Sequence, residues 1–456
     1  MKHLTPQLIA DITGGVYVGG EKARNARIAG AVRDNRDVRQ GNLFVCIRGA
    51  RADGHSFANS AFESGAACCL AERPIPDAKG PLVLVDSTLE AIKTVGAYHR
   101  NLFDIPVIGI SGSVGKTTTK ELVAAALSVK LEVLKTAANL NNELGVPLML
   151  MSIDERHEAA VIEMGISDFG EMSRLAEMVR PDIFVLTNIG YSHLLELGDL
   201  NGVFRAKTEA FAYMKPGGVA VLCGDDDMLY KCDPGMRKIT FGLDARNDFY
   251  ADNVRQEDAG VYFDIVSDKG RYPARIPAYG SHLPSLAPAA AAIGRLLGVK
   301  DEEISRGLES YLPVGGRANI ADTGEIVLID DCYNANPNSV KAALVSLKTL
   351  PGRHVVILGD MINLGTDSEK LHRDIGAYAA LSGLNSLICC GNEASFIHKG
   401  YKSAGGNDAH YYPAKADLIP MLSGHIKKGD AVLVKASRGM HFEEVVSALK
   451  DIRILP

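Results

Sequence analysis

The sequence predicts a three-domain α/β protein whose sheets are mostly parallel, and three observations lead to this class. The chain has 456 residues, a length typical of about three domains that each bury a core. Short apolar runs alternate with amphipathic stretches along most of it, as in sheets covered by helices. A strand–turn–helix pattern suited to phosphate binding stands at residues 107–121.

The composition is that of an ordinary globular protein, with 46% hydrophobic and 23% charged residues and a formal net charge of −6. This charge gives no electrostatic reason to expect nucleic acid or an acidic membrane surface as a partner. The eight cysteines lack CxxC spacing, so we expect buried reduced thiols without a metal or disulfide role. Because no N-terminal signal and no apolar run of membrane-spanning length is evident, we expect a cytoplasmic protein.

Residues 1–104 are predicted to form a small N-terminal α/β domain. Its strands are predicted at the apolar runs 43–47, 67–71 and 82–85, and its helices at 56–64 and 89–103. Two polar loops between these elements, DNR at 34–36 and RGARADGH at 48–55, have room for a second ligand. From composition alone, an ordinary surface loop is nearly as good an interpretation.

Residues 105–313 are predicted to form a central P-loop domain with a mostly parallel sheet. In the segment VIGISGSVGKTTTKE, Gly112 and Gly115 allow backbone N–H groups to face an anion, Lys116 can reach outer phosphates, and the Thr117 hydroxyl is placed to bind Mg²⁺. Ile110 stands where the strict P-loop has glycine, so this is the shorter GxxGKT form. The alternative is a glycine-rich turn with an incidental lysine.

Polar residues follow the next predicted strands of this domain, which are 159–164, 183–186 and 219–222. Glu163, Asn188 and His193 stand at or just beyond strand ends, where ligands bind in parallel sheets. Lys207 is predicted at the head of the following helix. A carboxylate, an imidazole and the Thr117 hydroxyl are suitable Mg²⁺ ligands. Taken singly, Glu163 would be interpreted as a capping or ion-paired group and His193 as a loop histidine.

The remaining patterns complete the domain assignment. Period-two alternation at 249–278 predicts an antiparallel excursion, which an alanine-rich helix follows at 285–297, and a linker is expected near 312–316. Residues 314–456 are predicted to form a C-terminal Rossmann-like α/β domain, with strands at 326–330, 355–358, 386–390 and 431–434. Its first strand is followed by the polar loop DDCYNANP and not by GxGxxG, so a dinucleotide site is not expected.

Together these segments resemble the Mur ligase family, whose members form amide bonds with ATP in the synthesis of peptidoglycan precursors. The matching segments occur in all three predicted domains: GSVGKTTTKE at 112–121, NLNNELGVPLML at 139–150, EMGISDFGEM at 163–172, RPDIFVLTNIGYSHL at 180–194, AKTE at 206–209, DDCYNANPNS at 330–339, LGDMINLG at 358–365 and LVKASRGM at 433–440. Within the family, NLNNELGVP and YNANP resemble the member that adds D-alanyl-D-alanine to a UDP-N-acetylmuramoyl tripeptide.

The resemblance implies a role for each domain and a set of site residues. The N-terminal domain would bind the UDP-sugar, the central domain ATP, and the C-terminal domain the incoming dipeptide. The residues implied for ATP binding are Gly112, Ser113, Gly115, Lys116, Thr117, Thr118, Arg317 and Asp331. Those implied as ligands of two Mg²⁺ ions are Thr117, Glu163, His193 and an N-carboxylated Lys207. Those implied for catalysis are Lys116, His193, Lys207 and Arg317. Residues implied for the substrates are Arg48, Asp53, His55, Asn139, Asn141, Asn142, Tyr333, Asn334, Asn336, Ser437 and Arg438.

The implied mechanism is transfer of the γ-phosphoryl group of ATP to a substrate carboxylate, followed by attack of an amine on the acyl phosphate. Three residues depart from the family pattern, namely Asn35, Leu286 and Ala436, and Leu286 removes a polar group where ATP should lie. These departures keep open a paralogue that joins other substrates, and, as a third reading, a nucleotide-binding scaffold without turnover. We expect a monomer.

Overall fold

The structure, a computed structural model, describes residues 3–49, 52–257 and 260–454. The described residues form three sheets that follow one another along the chain, of five, nine and six strands. Helices connect most of the strands, and most neighbouring strands are parallel. The predicted α/β class is therefore confirmed.

The first sheet has the strand order β1-β5-β4-β3-β2, in which β1 is antiparallel to β5 and the other pairs are parallel. Its strands are β1 (Val16–Val18), β2 (Gly30–Val32), β3 (Asn42–Val45), β4 (Cys68–Ala71) and β5 (Leu82–Leu84). Its helices are α1 (Pro6–Thr13), α2 (Glu21–Arg24), α3 (Ala58–Glu63) and α4 (Thr88–Arg100). The helix predicted at 56–64 is preceded by a 3₁₀ turn, Gly54–Phe57, in which the Asp53 side chain caps the first amides.

The second sheet has the order β14-β13-β12-β11-β10-β9-β6-β8-β7, so β6 lies between β8 and β9. Its strands are β6 (Val107–Ser111), β7 (Val133–Lys135), β8 (Ala159–Glu163), β9 (Ile183–Leu186), β10 (Val219–Cys223), β11 (Arg237–Gly242), β12 (Phe249–Glu257), β13 (Gly260–Ser267) and β14 (Gly270–Ile276). The last three form the antiparallel excursion that the alternating pattern predicts. The helices are α5 (Lys116–Leu127), α6 (Gly145–Met151), α7 (Glu171–Val179), α8 (Leu194–Leu197), α9 (Leu200–Thr208), α10 (Asp227–Lys231), α11 (Leu283–Leu296) and α12 (Asp301–Glu309).

The third sheet has the order β15-β16-β20-β17-β18-β19, with only the β15–β16 pair antiparallel among the described strands. Its strands are β15 (Asn319–Asp322), β16 (Val327–Asp330), β17 (His354–Gly359), β18 (Ser386–Cys390), β19 (Ala409–Tyr412) and β20 (Ala431–Lys435). The helices are α13 (Pro337–Leu347), α14 (Ser368–Leu381), α15 (Ala394–Ser403), α16 (Lys415–Leu418), α17 (Leu422–His425) and α18 (Glu443–Lys450). Residues 310–318, between α12 and β15, lie in neither a helix nor a strand.

The buried apolar residues show how the three parts are joined. One continuous cluster runs through the central sheet and into one face of the third sheet, including Leu344 and Leu347 of α13. A second cluster fills the other face of the third sheet. The first sheet has two clusters, and one of them reaches the central part through Leu148 and Met151 of α6. The central and third sheets therefore share one apolar core.

Two further expectations can be compared with the fold. All eight cysteines are buried and free of disulfides, as the sequence predicts. In the part of the chain that the structure describes, no helix is long and apolar enough to cross a membrane.

Candidate active site

The phosphate-binding turn lies where three parallel strands end together. In the sheet register Ile110 of β6 is opposite Glu163 of β8, and Ser111 is opposite Leu186 of β9. The turn after β6, the Glu163 carboxylate and the segment after β9 consequently meet at one edge of the sheet. The α5 helix begins at Lys116 directly after this turn, so its free N–H groups face the same edge.

The turn requires glycine at position 112 for two reasons. Gly112 has φ +142°, and a Cβ there would lie 1.9 Å from Thr187 Oγ1. Gly115, with φ +82°, likewise adopts a left-handed conformation. Lys116 Nζ donates a hydrogen bond to the Gly112 carbonyl at 2.7 Å, which holds its ammonium over the turn. This is the geometry of a P-loop, and it agrees with the prediction from the GxxGKT pattern.

Asn188 has a role that the sequence analysis missed, because it clamps the P-loop. Its Oδ1 accepts from Val114 N at 3.0 Å and its Nδ2 donates to Val114 O at 3.1 Å. The Ser113 hydroxyl donates to the Gly190 carbonyl at 3.0 Å and accepts from the Gly190 amide at 2.9 Å. The segment after β9 thus fixes the loop conformation. A strand-end asparagine beside a P-loop was the available sequence signal.

Glu163 is held in place before any ligand binds. It is 2% exposed, and its two carboxylate oxygens accept from the Thr117 hydroxyl at 2.9 Å and from Asn141 Nδ2 at 2.8 Å. Its backbone amide donates to the Thr136 hydroxyl at 2.8 Å. The predicted pair of Thr117 and Glu163 is therefore brought together, and Asn141 positions the carboxylate.

His193 and Lys207 lie on the same side of the site as Lys116. Nδ1 of His193 is buried and has no hydrogen-bond partner among the described residues. Burial, followed by the charges of Lys207 and Lys116, lowers the pKa of His193 to about 4, so its imidazole is neutral at pH 7. Burial and the charge of Lys116 also hold the pKa of Lys207 well below its ordinary value.

The sequence prediction for the position of Lys207 was wrong in one respect. Lys207 stands in the last turn of α9, near its C-terminus, and not at the head of the helix. It is only 2% exposed, and no carboxylate of the described residues lies within ion-pairing distance of its Nζ. The lowered pKa favours the neutral, nucleophilic form of this amine.

The donor set fits a hard cation in part. No group of three or more His, Cys, Asp or Glu side chains within the described ranges could hold a metal ion by itself. Glu163 and the Thr117 hydroxyl offer oxygen ligands beside the phosphate turn, and the unpartnered Nδ1 of His193 offers a nitrogen. A charged Lys207 would repel a cation here, whereas its N-carboxylated form would supply oxygen. The predicted ligands fit Mg²⁺ if Lys207 carries that modification.

The third domain supplies the opposite wall of a cavity of about 850 Å³. Arg317 stacks on the Tyr333 ring, with its guanidinium 4.1 Å from the ring centroid. Asp331 Oδ2 accepts from Lys435 Nζ at 2.6 Å, and Asp331 Oδ1 accepts from the Ala318 amide. Lys435 is buried and lines the cavity; it stands in the matching LVKASR segment, but its partner Asp331 is distant in sequence, so its role was not predicted.

The predicted residues that line this cavity come from both the central and the third domains. They are Ser113, Gly115, Lys116, Thr118, Asn141, Asn142, Glu163, His193, Arg317, Asp331, Tyr333, Asn334 and Asn336. Two of these asparagines also stabilise helix ends. Asn336 caps α13, and Asn142 Oδ1 accepts from the Gly145 backbone amide at the start of α6.

Leu286 stands in this cavity wall against the P-loop. A Cβ on Gly115 would lie 3.2 Å from Leu286 Cδ1, and Leu286 itself is buried. Beside it, His282 lines the same wall, and burial lowers the pKa of its imidazole. An apolar surface therefore faces the space next to the phosphate turn, as expected from the departure at this position.

Several predicted substrate residues lie away from the cavity wall. Arg438 pairs with Glu443, stands over the Tyr333 ring at 5.3 Å and is not among the residues that line the cavity. Ser437 is buried, where its hydroxyl accepts from the Ile362 amide at 2.9 Å. Asn139 is exposed and is likewise not part of the wall.

The first-domain loop at 48–55 is organised around Asp53. Arg73 Nη2 lies 2.8 Å from Asp53 Oδ2, and Arg48 Nε lies 3.8 Å from the same oxygen. Both ring nitrogens of His55 are used inside the domain, because Nδ1 donates to Asp53 at 2.6 Å and Nε2 accepts from the Glu72 amide. His55 therefore shapes the loop and cannot offer a ring nitrogen to a ligand in this arrangement. Ala50 and Arg51 of the same loop lie outside the described residues.

Comparison with known proteins adds three family matches in chain order. Residues 27–100 match the Mur ligase family catalytic domain, residues 110–294 the Mur ligase middle domain, and residues 316–438 the Mur ligase glutamate ligase domain.

Full-length relatives extend these matches. UDP-N-acetylmuramoyl-tripeptide--D-alanyl-D-alanine ligase of Bacillus subtilis strain 168 is 35% identical over 451 residues, which cover 98% of each chain. The enzyme of the same name from Escherichia coli K12 is 33% identical, with 99% of each chain covered. A crystal structure of MurF from Acinetobacter baumannii superposes with a TM-score of 0.88 at 32% identity, covering 98% of this chain and 99% of that one. MurF ligase from Thermotoga maritima in complex with ADP gives 0.81 at 28% identity, with 93% and 97% covered.

Proposed function

The chain belongs to the Mur ligase family, and on that premise we propose that it joins D-alanyl-D-alanine to a UDP-N-acetylmuramoyl tripeptide with ATP, in the synthesis of peptidoglycan precursors. One observation carries the proposal. The P-loop with Lys116 and Glu163 faces Arg317 and Asp331 of the third domain across a single cavity. The full-length relatives in which this arrangement is expected are UDP-N-acetylmuramoyl-tripeptide--D-alanyl-D-alanine ligases.

The first half of the reaction takes place at the P-loop. The terminal carboxylate of the tripeptide attacks the γ-phosphorus of ATP, the bond from that phosphorus to the β-bridging oxygen breaks, and an acyl phosphate and ADP form. Lys116 and the amides at the start of α5 stabilise the charge on the phosphoryl oxygens. Arg317 faces the same space from the third domain, so the docked domain adds a second cation.

In the second half, the amine of D-alanyl-D-alanine attacks the acyl carbon. A tetrahedral species forms, the carbon–oxygen bond to phosphate breaks, and an amide and inorganic phosphate result; the amine releases a proton. The polar wall formed by Tyr333, Asn334 and Asn336 faces this position and accommodates the dipeptide. The cavity lies between two domains, and their closure over the bound substrates would keep water from the acyl phosphate.

Glu163, Thr117, His193 and an N-carboxylated Lys207 would hold Mg²⁺. The ion, when bound, neutralises phosphate charge and polarises the transferring group. The modification is favoured by the environment of Lys207, since a buried amine with a lowered pKa has the free electron pair that attacks CO₂. Nζ of the neutral amine bonds to the carbon of CO₂, the nitrogen releases one proton, and the side chain becomes an anionic oxygen ligand.

This role of Lys207 has a direct test. Lys207→Ala should lower the turnover number at least a hundredfold, and short carboxylic acids such as acetate or formate should restore part of the activity by filling the vacated position. Intact-mass measurement in ¹³C-bicarbonate should show one added carboxyl group on the wild type and none on the variant. A fully active Lys207→Ala protein, or a wild type without the added mass after trapping, contradicts the proposal.

The other substrate sites follow the three parts of the chain. Residues 1–104 would hold the UDP-sugar through the loop around Asp53, with Arg48 exposed for an anion. Residues 105–313 would bind ATP, and residues 314–456 the dipeptide. Arg438 would serve the dipeptide only by releasing Glu443, so we assign it a lesser part than the cavity wall. The reaction would take place in the cytoplasm on a monomer.

The experiment that tests the function is an ADP-release assay with a UDP-N-acetylmuramoyl tripeptide, run against a panel of amino acids and dipeptides, with product mass spectrometry. We expect D-alanyl-D-alanine to give the highest kcat/KM and a product larger by one dipeptide minus water. If another amine is used and D-alanyl-D-alanine is not, the chain is a paralogue with other substrates. Absence of ADP release with every amine would favour a scaffold.

A further inference from the structure

Two parts of the third domain contact the segment after β9, and the reaction described above gives neither of them a role. One is the LGDMINLG segment, and the other is Asn338 in the first turn of α13. We propose that Asn338 and the docking turn, residues 363–365, are positioning residues that couple docking of the third domain to the phosphate site through the relay segment, residues 188–195. The inference rests on the proposed function for its kinetic consequences and on geometry for the rest.

The docking turn holds the backbone next to His193. The Leu194 amide donates to the Asn363 carbonyl at 3.1 Å, a hydrogen bond between the central and third domains. Gly365 lies so close that a Cβ on it would be 3.3 Å from both N and Cα of Leu195. Both Asn363 (φ +66°) and Gly365 (φ +62°) have left-handed backbone conformations, which glycine and asparagine tolerate best. The sequence thus supplies the residues that this close approach requires.

Asn338 makes the second contact, nearer to the P-loop. A Cβ on Gly190 would lie 3.2 Å from Cγ and Nδ2 of Asn338, so the carboxamide rests against the Gly190 backbone. Gly190 in turn exchanges hydrogen bonds with the Ser113 hydroxyl of the P-loop. The Asn338 side chain lines the cavity and is exposed to it. A third-domain amide therefore rests against the residue that holds Ser113 of the phosphate turn.

The relay segment carries the parts of the site whose position matters most. At its start, Asn188 clamps Val114 of the P-loop, and near its end His193 presents an unpartnered Nδ1. His193 has φ +54°, a strained conformation for a residue with a Cβ, just before the amide that binds Asn363. The hydrogen bond that the Leu194 amide donates to the docked domain stabilises the strained turn, and through it the orientation of the imidazole.

On the third-domain side, the docking turn is attached to rigid structure. The Met361 amide donates to His372 Nε2 at 3.0 Å, and the Ile362 amide donates to the Ser437 hydroxyl at 2.9 Å. His372 and Ser437 are both buried. Because these bonds fix the docking turn within the third domain, the turn moves together with that domain.

A pair of glycine variants separates this role from general backbone strain. Gly365→Ala places a methyl group against Leu195, whereas Gly383→Ala, at φ +72° in the same domain, meets no atom within 4 Å. Both substitutions place a Cβ on a residue with a left-handed backbone conformation. A difference in kcat between the two variants therefore measures the effect of the interdomain contact. We expect Gly365→Ala to lower kcat at least tenfold with the KM for ATP changed less than twofold, and Gly383→Ala to retain wild-type kinetics.

Hydrogen exchange of the peptide containing Leu194 provides a readout that does not depend on turnover. In wild type with the non-hydrolysable ATP analogue AMP-PCP, the Leu194 amide should be protected, and Gly365→Ala should raise its exchange rate at least fivefold, while Gly383→Ala leaves it unchanged. Equal exchange and equal kcat for the two glycine variants would overturn the proposal. If the wild type shows the protection but makes no product with D-alanyl-D-alanine, the function fails and the coupling stands.

Asn338 is tested with a matched exposed asparagine. Asn338→Asp places a negative charge in the cavity wall beside Gly190 and should lower kcat at least tenfold, and Asn338→Ala should lower it by a smaller factor of three or more. Asn407→Asp and Asn407→Ala, which change an exposed asparagine outside the cavity, should have no effect. Wild-type kcat in both Asn338 variants contradicts the part of the proposal that concerns this residue.

Discussion

Lys116 and Lys207 show how a residue's surroundings decide its chemistry. Burial lowers the pKa of both lysines, and the charge of Lys116 lowers the pKa of Lys207 further. Lys116 has carbonyl acceptors and faces the phosphate turn, so it suits an anion. Lys207 has no acid partner in the described chain, so it suits modification. The same side chain thus takes two roles because the groups within a few ångströms differ.

At the same scale, Leu286 leads to a prediction about nucleotide binding. Leu286→Asn should lower the KM for ATP by about fivefold, on the order of 1 kcal/mol, because the new amide can form a hydrogen bond where the wall is now apolar. Steady-state kinetics with ATP and GTP measures the effect and its base preference. Leu286→Met, which keeps the wall apolar, is the control. An unchanged or higher KM for ATP in the asparagine variant would mean that a neighbour such as His282 already makes the contact.

Single residues could be predicted from sequence when a local motif marks them. Lys116, Thr117 and Glu163 follow strand ends or a glycine turn, and the structure brings them together. The roles of Asn188 and Lys435 were not predicted, because they depend on contacts with Val114 and Asp331, which are far away in the chain. For His55, sequence and structure disagree. Its polar neighbours made it a ligand candidate, but its Nε2 already accepts a hydrogen bond from the Glu72 amide.

At the scale of elements, the loop between β17 and α14 is held by a neutral histidine. His372 is fully buried, its Nε2 accepts from the Met361 amide, and its Nδ1 donates to the Ser368 carbonyl at 2.8 Å. Burial lowers the pKa of His372, and this outweighs the opposing effects of the Ser368 hydrogen bond, Glu393 and Asp360. A protonated ring could no longer accept from Met361.

This arrangement predicts a pH dependence of stability. Between the lowered pKa of His372 and the ordinary value near 6.5, the unfolded chain binds a proton that the folded chain does not, so the free energy of unfolding should decrease as the pH falls from 7. Urea unfolding of wild type and His372→Gln between pH 5 and pH 8 measures this, with exposed His3→Gln as the control. The His372→Gln protein should lose part of the dependence. Identical pH profiles for all three proteins would contradict it.

Elements were predictable where they are long, buried and apolar. The strands β6, β8, β9 and β18 are continuous buried runs and appear in the sequence at nearly their observed bounds. The strands β1, β7 and β15 did not stand out, because they are short, partly exposed edge strands with mixed residues. Their conformation is set by a neighbouring strand, which local sequence does not reveal.

At the scale of the molecule, the continuous apolar cluster predicts how the chain unfolds. Because the central sheet and one face of the third sheet share this cluster, we expect them to unfold together. Hydrogen exchange during thermal unfolding should give one midpoint for peptides from β6–β9 and from β16–β20, and Mg²⁺ with ADP should raise both equally. Two separate midpoints, or a shift confined to the central peptides, would contradict a shared core.

The number of domains and the parallel class followed from length and from the alternation of elements. The order of the strands and the orientation of the domains could not be predicted in this way, because both depend on contacts between residues far apart in the chain. One such contact joins the hydroxyls of Ser281 and Ser346, which lie 3.1 Å apart across the boundary between the central and third domains. Each of these residues looks unremarkable in its own segment. The cavity between their domains could be anticipated only through the family resemblance.

The two-walled cavity also bears on inhibition and resistance. A compound that fills the space between the P-loop and α13 would bind the docked form alone, and its affinity would depend on how often that form is populated. A resistant strain could escape by a substitution that weakens docking of the third domain. The same substitution would slow the enzyme's own turnover, so resistance of this kind would carry a growth defect, and second mutations that restore docking would restore susceptibility.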